Sequence, residues 1–239
     1  MMTNKKISVT IPAYNEQDTL QRVVEQAITE VSKLSNRVEI LLVDDGSTDR
    51  TGSVIASLTH TYPRVVRSIS HPKNRGFSAA MNTCYVNADG DYIFLGPADG
   101  QFDFSEVASF VRKMAGHDIV VGYRTYNEET VRRKINSFFF HLLARALFGI
   151  RLKEFSSCIM YTRNVRDTIH VQADSYACLF LPELMYRTLQ AGYAIGEVPI
   201  HFYSRKGGIQ KGTRIRMIVK TIYEMLRFKV ELIRSTHTA

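Results

Sequence analysis

Short apolar runs rich in β-branched and aliphatic residues recur along the first half of the chain, at Ile7–Ile11, Val38–Val43, Val65–Ile69, Asp91–Leu95 and Asp118–Val121. Each has the length of a buried strand. Between them Thr19–Leu34, Thr51–Leu58, Ser78–Val86 and Phe104–Met114 show helical spacing of apolar positions. Strands alternating with helices predict βαβ units, hence an α/β fold with a Rossmann-like, mostly parallel sheet flanked by helices. In the second half the pattern predicts a helix over Arg132–Phe148, a strand over Phe155–Tyr161, a helix over Pro182–Gln190 and a strand over Ile195–Ile200. No Pro/Gly/Ser-rich linker, internal repeat or low-complexity tract divides the chain, so residues 1–212 read as one domain.

The last segment, residues 213–239, is different in kind. From Thr213 to Ile233, Ile215, Ile218, Val219, Ile222, Met225, Leu226 and Ile233 recur at helical spacing among Arg214, Arg216, Lys220, Arg227, Lys229 and Arg234. That is a basic amphipathic C-terminal helix, suited to packing on the domain, to an oligomer contact or to a membrane surface.

Composition narrows the class. The chain has 239 residues, 45% of them hydrophobic, enough for a sizeable core. Its net charge of +8 and pI near 9.4 imply an anionic partner: nucleic acid, anionic lipid or a phosphorylated substrate. No recognition-helix, finger or aromatic RNA-binding signature is present, which argues against nucleic acid. The three cysteines, Cys84, Cys158 and Cys178, are widely spaced and lack a CxxC, so they are expected to be buried thiols in a reducing cytoplasm. Met1–Lys6 lacks the apolar stretch and cleavage site of a signal peptide. The longest uncharged stretches, such as Ile135–Ala144, fall short of the roughly 18–20 apolar residues of a spanning helix, so the chain is expected to be cytoplasmic and peripheral.

In a doubly wound sheet, ligands bind beyond the carboxyl ends of the strands. Three such places carry chemistry: Pro12-Ala13-Tyr14-Asn15-Glu16, Asp44-Asp45-Gly46-Ser47-Thr48-Asp49 and Pro97-Ala98-Asp99-Gly100-Gln101. A proline, an aromatic and Glu16 can shape a slot for a flat base, although Asn15-Glu16 also reads as a helix start. The acids at 44 and 45 precede a helix that Ser47, Thr48 or Asp49 can cap. Asp99 and Gln101 occupy alternating positions past a buried strand and are expected to point to one side. A carboxylate and an amide oxygen are hard ligands suited to Mg²⁺ or Mn²⁺, which in turn can hold a diphosphate leaving group.

Ile11-Pro12-Ala13-Tyr14-Asn15-Glu16, Val43-Asp44-Asp45-Gly46-Ser47-Thr48-Asp49 and Asn74-Arg75-Gly76, in this order and spacing, resemble the inverting GT-A glycosyltransferases. Within them the likeness is to the polyprenyl-phosphate sugar transferases, such as dolichyl-phosphate mannose synthase, and runs from about Ile7 to Lys211. It includes Ala98-Asp99-Gly100-Gln101 in place of a DxDxQ-type motif. It also includes Glu197-Val198-Pro199-Ile200 and a late loop, Arg205-Lys206-Gly207-Gly208-Ile209-Gln210-Lys211.

The resemblance implies a nucleotide site on Pro12, Ala13, Tyr14, Glu16, Asp44, Asp45, Arg75, Gly76, Ala98 and Asp99, with Asp99 and Gln101 on the divalent cation. It implies a UDP- or GDP-linked sugar as donor. Three departures stand out: Pro97 replaces the first acid of DxD, Glu154-Phe155-Ser156-Ser157-Cys158 replaces Asp-x-x-Ser-Gly, and Phe77 and Ser78 replace small or basic residues.

Inverting displacement onto a hydroxyl asks for a general base, whereas a phosphate acceptor is already anionic. The sequence offers no clear base but a set of cations, Arg124, Arg132, Arg133, Arg205, Lys206 and Lys211, that suit a polyprenyl phosphate. Arg124 and Arg205 join Asp99 and Gln101 as expected catalytic residues. Phe138–Phe140, Leu142, Leu143 and Leu147 form an apolar stretch read as core, an oligomer contact or a lipid path. Two alternatives remain: a transferase acting on a polysaccharide or protein with Glu154 or another acid as base, and a nucleotide-sugar-binding module whose catalysis has decayed. A membrane partner protein would serve where the chain itself does not reach the lipid.

Overall fold

The computed structural model describes residues 2–127, 131–154, 157–175, 177–203 and 215–236. Seven strands, β1 (Ile7–Ala13), β2 (Val38–Asp44), β3 (Val66–Ser70), β4 (Tyr92–Leu95), β5 (Ile119–Asn127), β6 (Ile159–Thr162) and β7 (Ile195–Phe202), form one sheet in the order β3-β2-β1-β4-β6-β5-β7. All neighbouring pairs are parallel except those of β6, which runs antiparallel to both β4 and β5. The sheet is thus mostly parallel, as expected, with one reversal: β6 is reached from the carboxyl end of the sheet through α5 (Val131–Phe148), and a strand entered from that end runs back.

Among the described residues there are seven further helices: α1 (Leu20–Ser32), α2 (Thr51–Thr61), α3 (Phe77–Asn87), α4 (Val107–Lys113), α6 (Arg163–Thr168), α7 (Phe180–Gln190) and α8 (Ile215–Thr236). A short 3₁₀ turn at Phe104–Glu106 leads into α4, where periodicity predicts a single helix. Asp103 caps that turn, accepting from Ser105 N at 2.9 Å. The short α6, capped by Thr162, lacks a full amphipathic period and is not foreseen from the pattern.

Strand alternation divides the core between the two faces of the sheet. Ile40 and Leu42 pack with Val23, Val24 and the aromatic group Phe94, Phe102, Phe104 and Phe110 on one face. Leu41 and Val43 pack with Met81, Tyr85, Phe180, Met225 and Phe228 on the other. α8 thus seats Met225 and Phe228 in the same core as α3 and α7. Cys84 and Cys158 are buried, Cys178 is half-buried, and all three are free thiols. Among the described residues no helix is long and apolar enough to cross a membrane.

Candidate active site

The carboxyl ends of β1, β2 and β4 lie side by side, so the three polar segments meet at one edge of the sheet. The first two interlock. Asp45 N donates to Ala13 O at 2.8 Å, Asn15 N to Ser47 Oγ at 3.0 Å, Thr48 N to Asn15 Oδ1 at 2.8 Å, and Glu16 N to Thr51 Oγ1 at 2.8 Å. Asn15 takes a left-handed φ of 51°, a conformation that asparagine tolerates better than most residues and that turns its side chain toward Thr48. Asp49 accepts from the backbone of Thr51 at 2.9 Å and so serves the start of α2. Burial works to raise its pKa, but the bonds from Thr51 and Gln17 outweigh it and hold the carboxyl below its ordinary value.

Asp45 is the hub. It is 3% exposed, and its oxygens accept from Arg75 N and Gly76 N, both at 2.9 Å, and from His71 Nδ1 at 2.7 Å. His71 Nε2 lies 2.9 Å from Thr83 Oγ1, which anchors the ring to α3. Asn74 Nδ2 donates to the carbonyl of Asp45 at 3.2 Å. Gly46, at φ +66°, lets the two loops touch: a Cβ there would stand 2.4 Å from the Lys73 carbonyl carbon. The neighbouring acid, Asp44, accepts Ser47 N at 2.9 Å and stabilises its own turn. The carboxylate of Asp45 therefore shapes the loop after β3 through the backbone of Arg75 and Gly76, and the Arg75 guanidinium pairs with Asp174 at 2.5 Å. His71 and Thr83 were not singled out in the sequence; the only signal was the position of His71 in the run leading to Asn74-Arg75-Gly76.

The third segment joins the first through Thr19 Oγ1, which donates to Ala98 O at 2.9 Å. Pro12, Tyr14, Glu16 and Asp99 are half-buried on this rim, while Ala13 and Ala98 are buried. The expected side-by-side display of Asp99 and Gln101 is corrected. β4 ends at Leu95, and the chain then bends with Gly100 at φ +70°, so strand alternation does not extend to these residues. Gln101 is 2% exposed, its backbone N donates to Asp99 Oδ1 at 3.1 Å, and its side-chain Nε2 donates to Tyr203 O at 2.8 Å. The Tyr203 N–H returns a bond to Gln101 O at 2.9 Å, tying this loop to the end of β7.

On the far side of Asp99, Glu154 accepts Arg124 N at 2.7 Å and lies 3.4 Å from Arg124 Nε. The Arg124 guanidinium also sits over the Phe202 ring at 4.4 Å. Burial pushes the Cys158 thiol well above its ordinary range; Arg124 pulls the other way, and Asp99, Glu106 and Glu154 add to the rise. Arg132 and Arg133 stand in the first turn of α5 with side chains outside those described, and Arg205, Lys206 and Lys211 lie outside the described residues.

For a divalent cation the donor set is spare. Asp99 supplies a carboxylate, Pro97 removes a second, and Gln101 has its amide nitrogen committed to Tyr203. Among the described residues no group of three or more His, Cys, Asp or Glu gathers at a metal-binding geometry. One carboxylate suffices for an ion held mainly by substrate phosphates, which is the usual habit of Mg²⁺.

A mostly parallel sheet with one reversed strand, gathering acidic loops beyond β1, β2 and β4, is the GT-A architecture. The chain belongs to glycosyl transferase family 2, whose model matches residues 8–178. It is 30% identical over 219 residues to undecaprenyl-phosphate 4-deoxy-4-formamido-L-arabinose transferase of Salmonella choleraesuis (strain SC-B67), a match covering 90% of this chain and 64% of that protein. The chain thus spans a little under two-thirds of that relative's length. Among solved structures, glucosyl-3-phosphoglycerate synthase from Mycobacterium tuberculosis in complex with Mn²⁺, UDP and glucosyl-3-phosphoglycerate superposes with a TM-score of 0.70 at 19% identity, over 94% of this chain and 80% of that one. A mannosyltransferase from Pyrobaculum calidifontis in complex with GDP-Man and Mn²⁺ superposes with a TM-score of 0.62 at 20% identity, over 86% and 59%. At these identities the likeness is one of fold.

Proposed function

We propose that this chain transfers a sugar, with inversion, from a UDP- or GDP-linked donor to a polyprenyl phosphate at a membrane surface. The name of the Salmonella relative supports the acceptor class, and the Mn²⁺ and nucleotide bound to the two structural neighbours support the donor class. The observation that carries the reading is the edge where the loops after β1, β2 and β4 bond to one another with Asp99 on the rim.

Pro12, Ala13 and Tyr14 would face the base, with Glu16 accepting from base or ribose. Asp44 and Asp45 act by holding their loops, so that Arg75, Gly76 and Ala98 approach the diphosphate. Asp99 would hold Mg²⁺ or Mn²⁺, with Gln101 fixing the loop that carries it. The ion, when bound, would neutralise charge on the departing nucleoside diphosphate.

The acceptor phosphate oxygen forms the new bond to the anomeric carbon as the bond to the diphosphate oxygen breaks. No proton has to be removed, so no general base is needed. Glu154, the acid named as base for a hydroxyl acceptor, is engaged by the backbone and guanidinium of Arg124. That pairing favours the phosphate acceptor over the hydroxyl one. Arg124, with Arg132, Arg133, Arg205, Lys206 and Lys211, would then face the acceptor phosphate.

The test is a panel of UDP- and GDP-sugars with Mg²⁺ or Mn²⁺ and a short polyprenyl phosphate, with the product's anomeric configuration read by NMR. An inverted glycosyl phosphate lipid is expected. Turnover of free sugar acceptors alongside failure on every lipid phosphate would refute the acceptor, and donor binding without any transfer would favour the decayed module.

A further inference from the structure

Two helices of the second half carry apolar side chains that the fold leaves uncovered. α5 exposes Ile135, Phe138, Phe139 and Leu142, each at 50–63%. Their spacing of three and four residues places them on one face of the helix. α8 exposes Val219, Ile222, Tyr223, Leu226, Val230 and Ile233, each at 41–64%, on the same spacing. Among the described residues, these four and six make up ten of the fourteen large apolar side chains that are exposed.

The opposite faces of the same helices are in the core. α5 buries Ala144 and Phe148, α8 buries Met225 and Phe228, and the rings of Phe148 and Phe228 lie 5.5 Å apart. Each helix therefore has two apolar faces, one packed in the core where α5, α7 and α8 meet and one turned outward. α1, by contrast, exposes no large apolar side chain.

Charge supplies the second observation. α5 contains no acidic residue, and Arg145 stands three positions after Leu142, bordering the stripe. Arg145, Arg151 and Lys153 together line a cavity of about 200 Å³ just past the end of α5. On α8, Lys220, Arg227 and Arg234 each directly follow a stripe residue, Val219, Leu226 and Ile233, and so border the stripe along its length. With Arg216 and Lys229 against Glu224 and Glu231, five cations face two acids, a balance of +3 for the helix.

We propose that the paired stripes of α5 and α8, with their bordering cations, are the surface by which this protein lies on an anionic lipid bilayer. The apolar face sinks to the level of the acyl boundary while the cations meet headgroup phosphates, as in helices that lie in the interface plane. This deepens the reading of a lipid-linked acceptor by naming the face that meets the membrane. A second copy of the chain fits less well, because a two-fold contact sets the same positively charged patch against itself.

The test is sedimentation of the full chain with vesicles of phosphatidylcholine alone or mixed equally with phosphatidylglycerol, without donor or acceptor. Wild type is expected to pellet with the anionic vesicles and to be partly released by salt. Phe138→Glu with Phe139→Glu, and separately Tyr223→Glu with Leu226→Glu, are each expected to weaken that partition about tenfold or more. UDP and GDP binding by calorimetry checks that the variants are folded.

Wild type that stays in solution, variants that pellet equally, or a wild-type dimer that these substitutions dissociate would each overturn the proposal. Transfer to a detergent-dispersed short polyprenyl phosphate, measured alongside, separates the two readings. Its persistence without vesicle binding removes only the docking surface, and vesicle binding without transfer removes only the proposed reaction.

Discussion

The loops beyond β1, β2 and β3 and the pair α5 and α8 handle their side chains in opposite ways. In the loops nearly every polar group faces another: Asn15 with Ser47 and Thr48, Glu16 with Thr51, and Asp45 with His71, Arg75 and Gly76. In the helices, apolar groups that the core has no room for stand in the open. Under the proposed function the rigid, hydrogen-bonded loops would hold the nucleotide and the apolar faces would meet the lipid. The comparison predicts that substitutions in the first region act through geometry and those in the second through surface chemistry.

Asp99→Asn sharpens that contrast most. The asparagine oxygen can still accept the Gln101 N–H, now 3.1 Å from Asp99 Oδ1, so the loop keeps its shape while the carboxylate charge is lost. Transfer is expected to fall about 10²-fold or more in kcat, with little change in melting temperature. Equal loss of stability and activity would make Asp99 a structural residue. Asp45→Ala comes next and works the other way. It removes the acceptor of three donors at a 3%-exposed site and is expected to cost about 3 kcal/mol in urea unfolding, together with nucleotide binding.

Glu183→Gln probes a buried acid that belongs to neither region. Glu183, 1% exposed within α7, accepts Gln172 N and Ala173 N, both at 2.9 Å, and pairs with Arg187 at 2.7 Å. A glutamine turns an N–H₂ toward one of these donors, and a loss of about 2 kcal/mol is expected, read from the urea midpoint. UDP and GDP binding should be unchanged. Weakened nucleotide binding would mean that the segment over α3, joined to it through Ser78 and Ser175, transmits strain to the Arg75 loop.

How far the sequence reached follows the same division. The parallel half was legible because each strand there is a short apolar run followed by a polar loop, and motif spacing alone set the three loops at one edge. The reversal of β6 was not legible, because an apolar run carries no direction. Gln101 misled because alternation was carried past Leu95, where Gly100 permits a bend that the strand period does not describe. His71 escaped because its partner, Asp45, lies 26 positions earlier in the chain. The sequence reading of α8 as a basic amphipathic helix put Met225 and Leu226 in one apolar set, and only packing separates the buried face of Met225 and Phe228 from the exposed one of Tyr223 and Leu226.

The smallest expected effect is one of pH, within the second region. His141 lies in α5, 8% exposed, with Nδ1 against the Ser137 carbonyl. Burial holds its imidazole below the ordinary histidine range; the Ser137 carbonyl and Glu154 pull upward, while Arg124 and Arg145 add to the depression. An unfolded chain takes up this proton at about pH 6.5, before the folded one does. As pH falls through that value the unfolded state therefore binds more protons, and stability declines until the folded imidazole is also protonated. Above that range the residue makes no contribution to the pH dependence. Urea midpoints at about pH 7, 6 and 5 should fall for wild type and fall less for His141→Gln, by a margin smaller than any loss above. Parallel curves for the two proteins would mean that His141 protonates as readily in the fold as out of it.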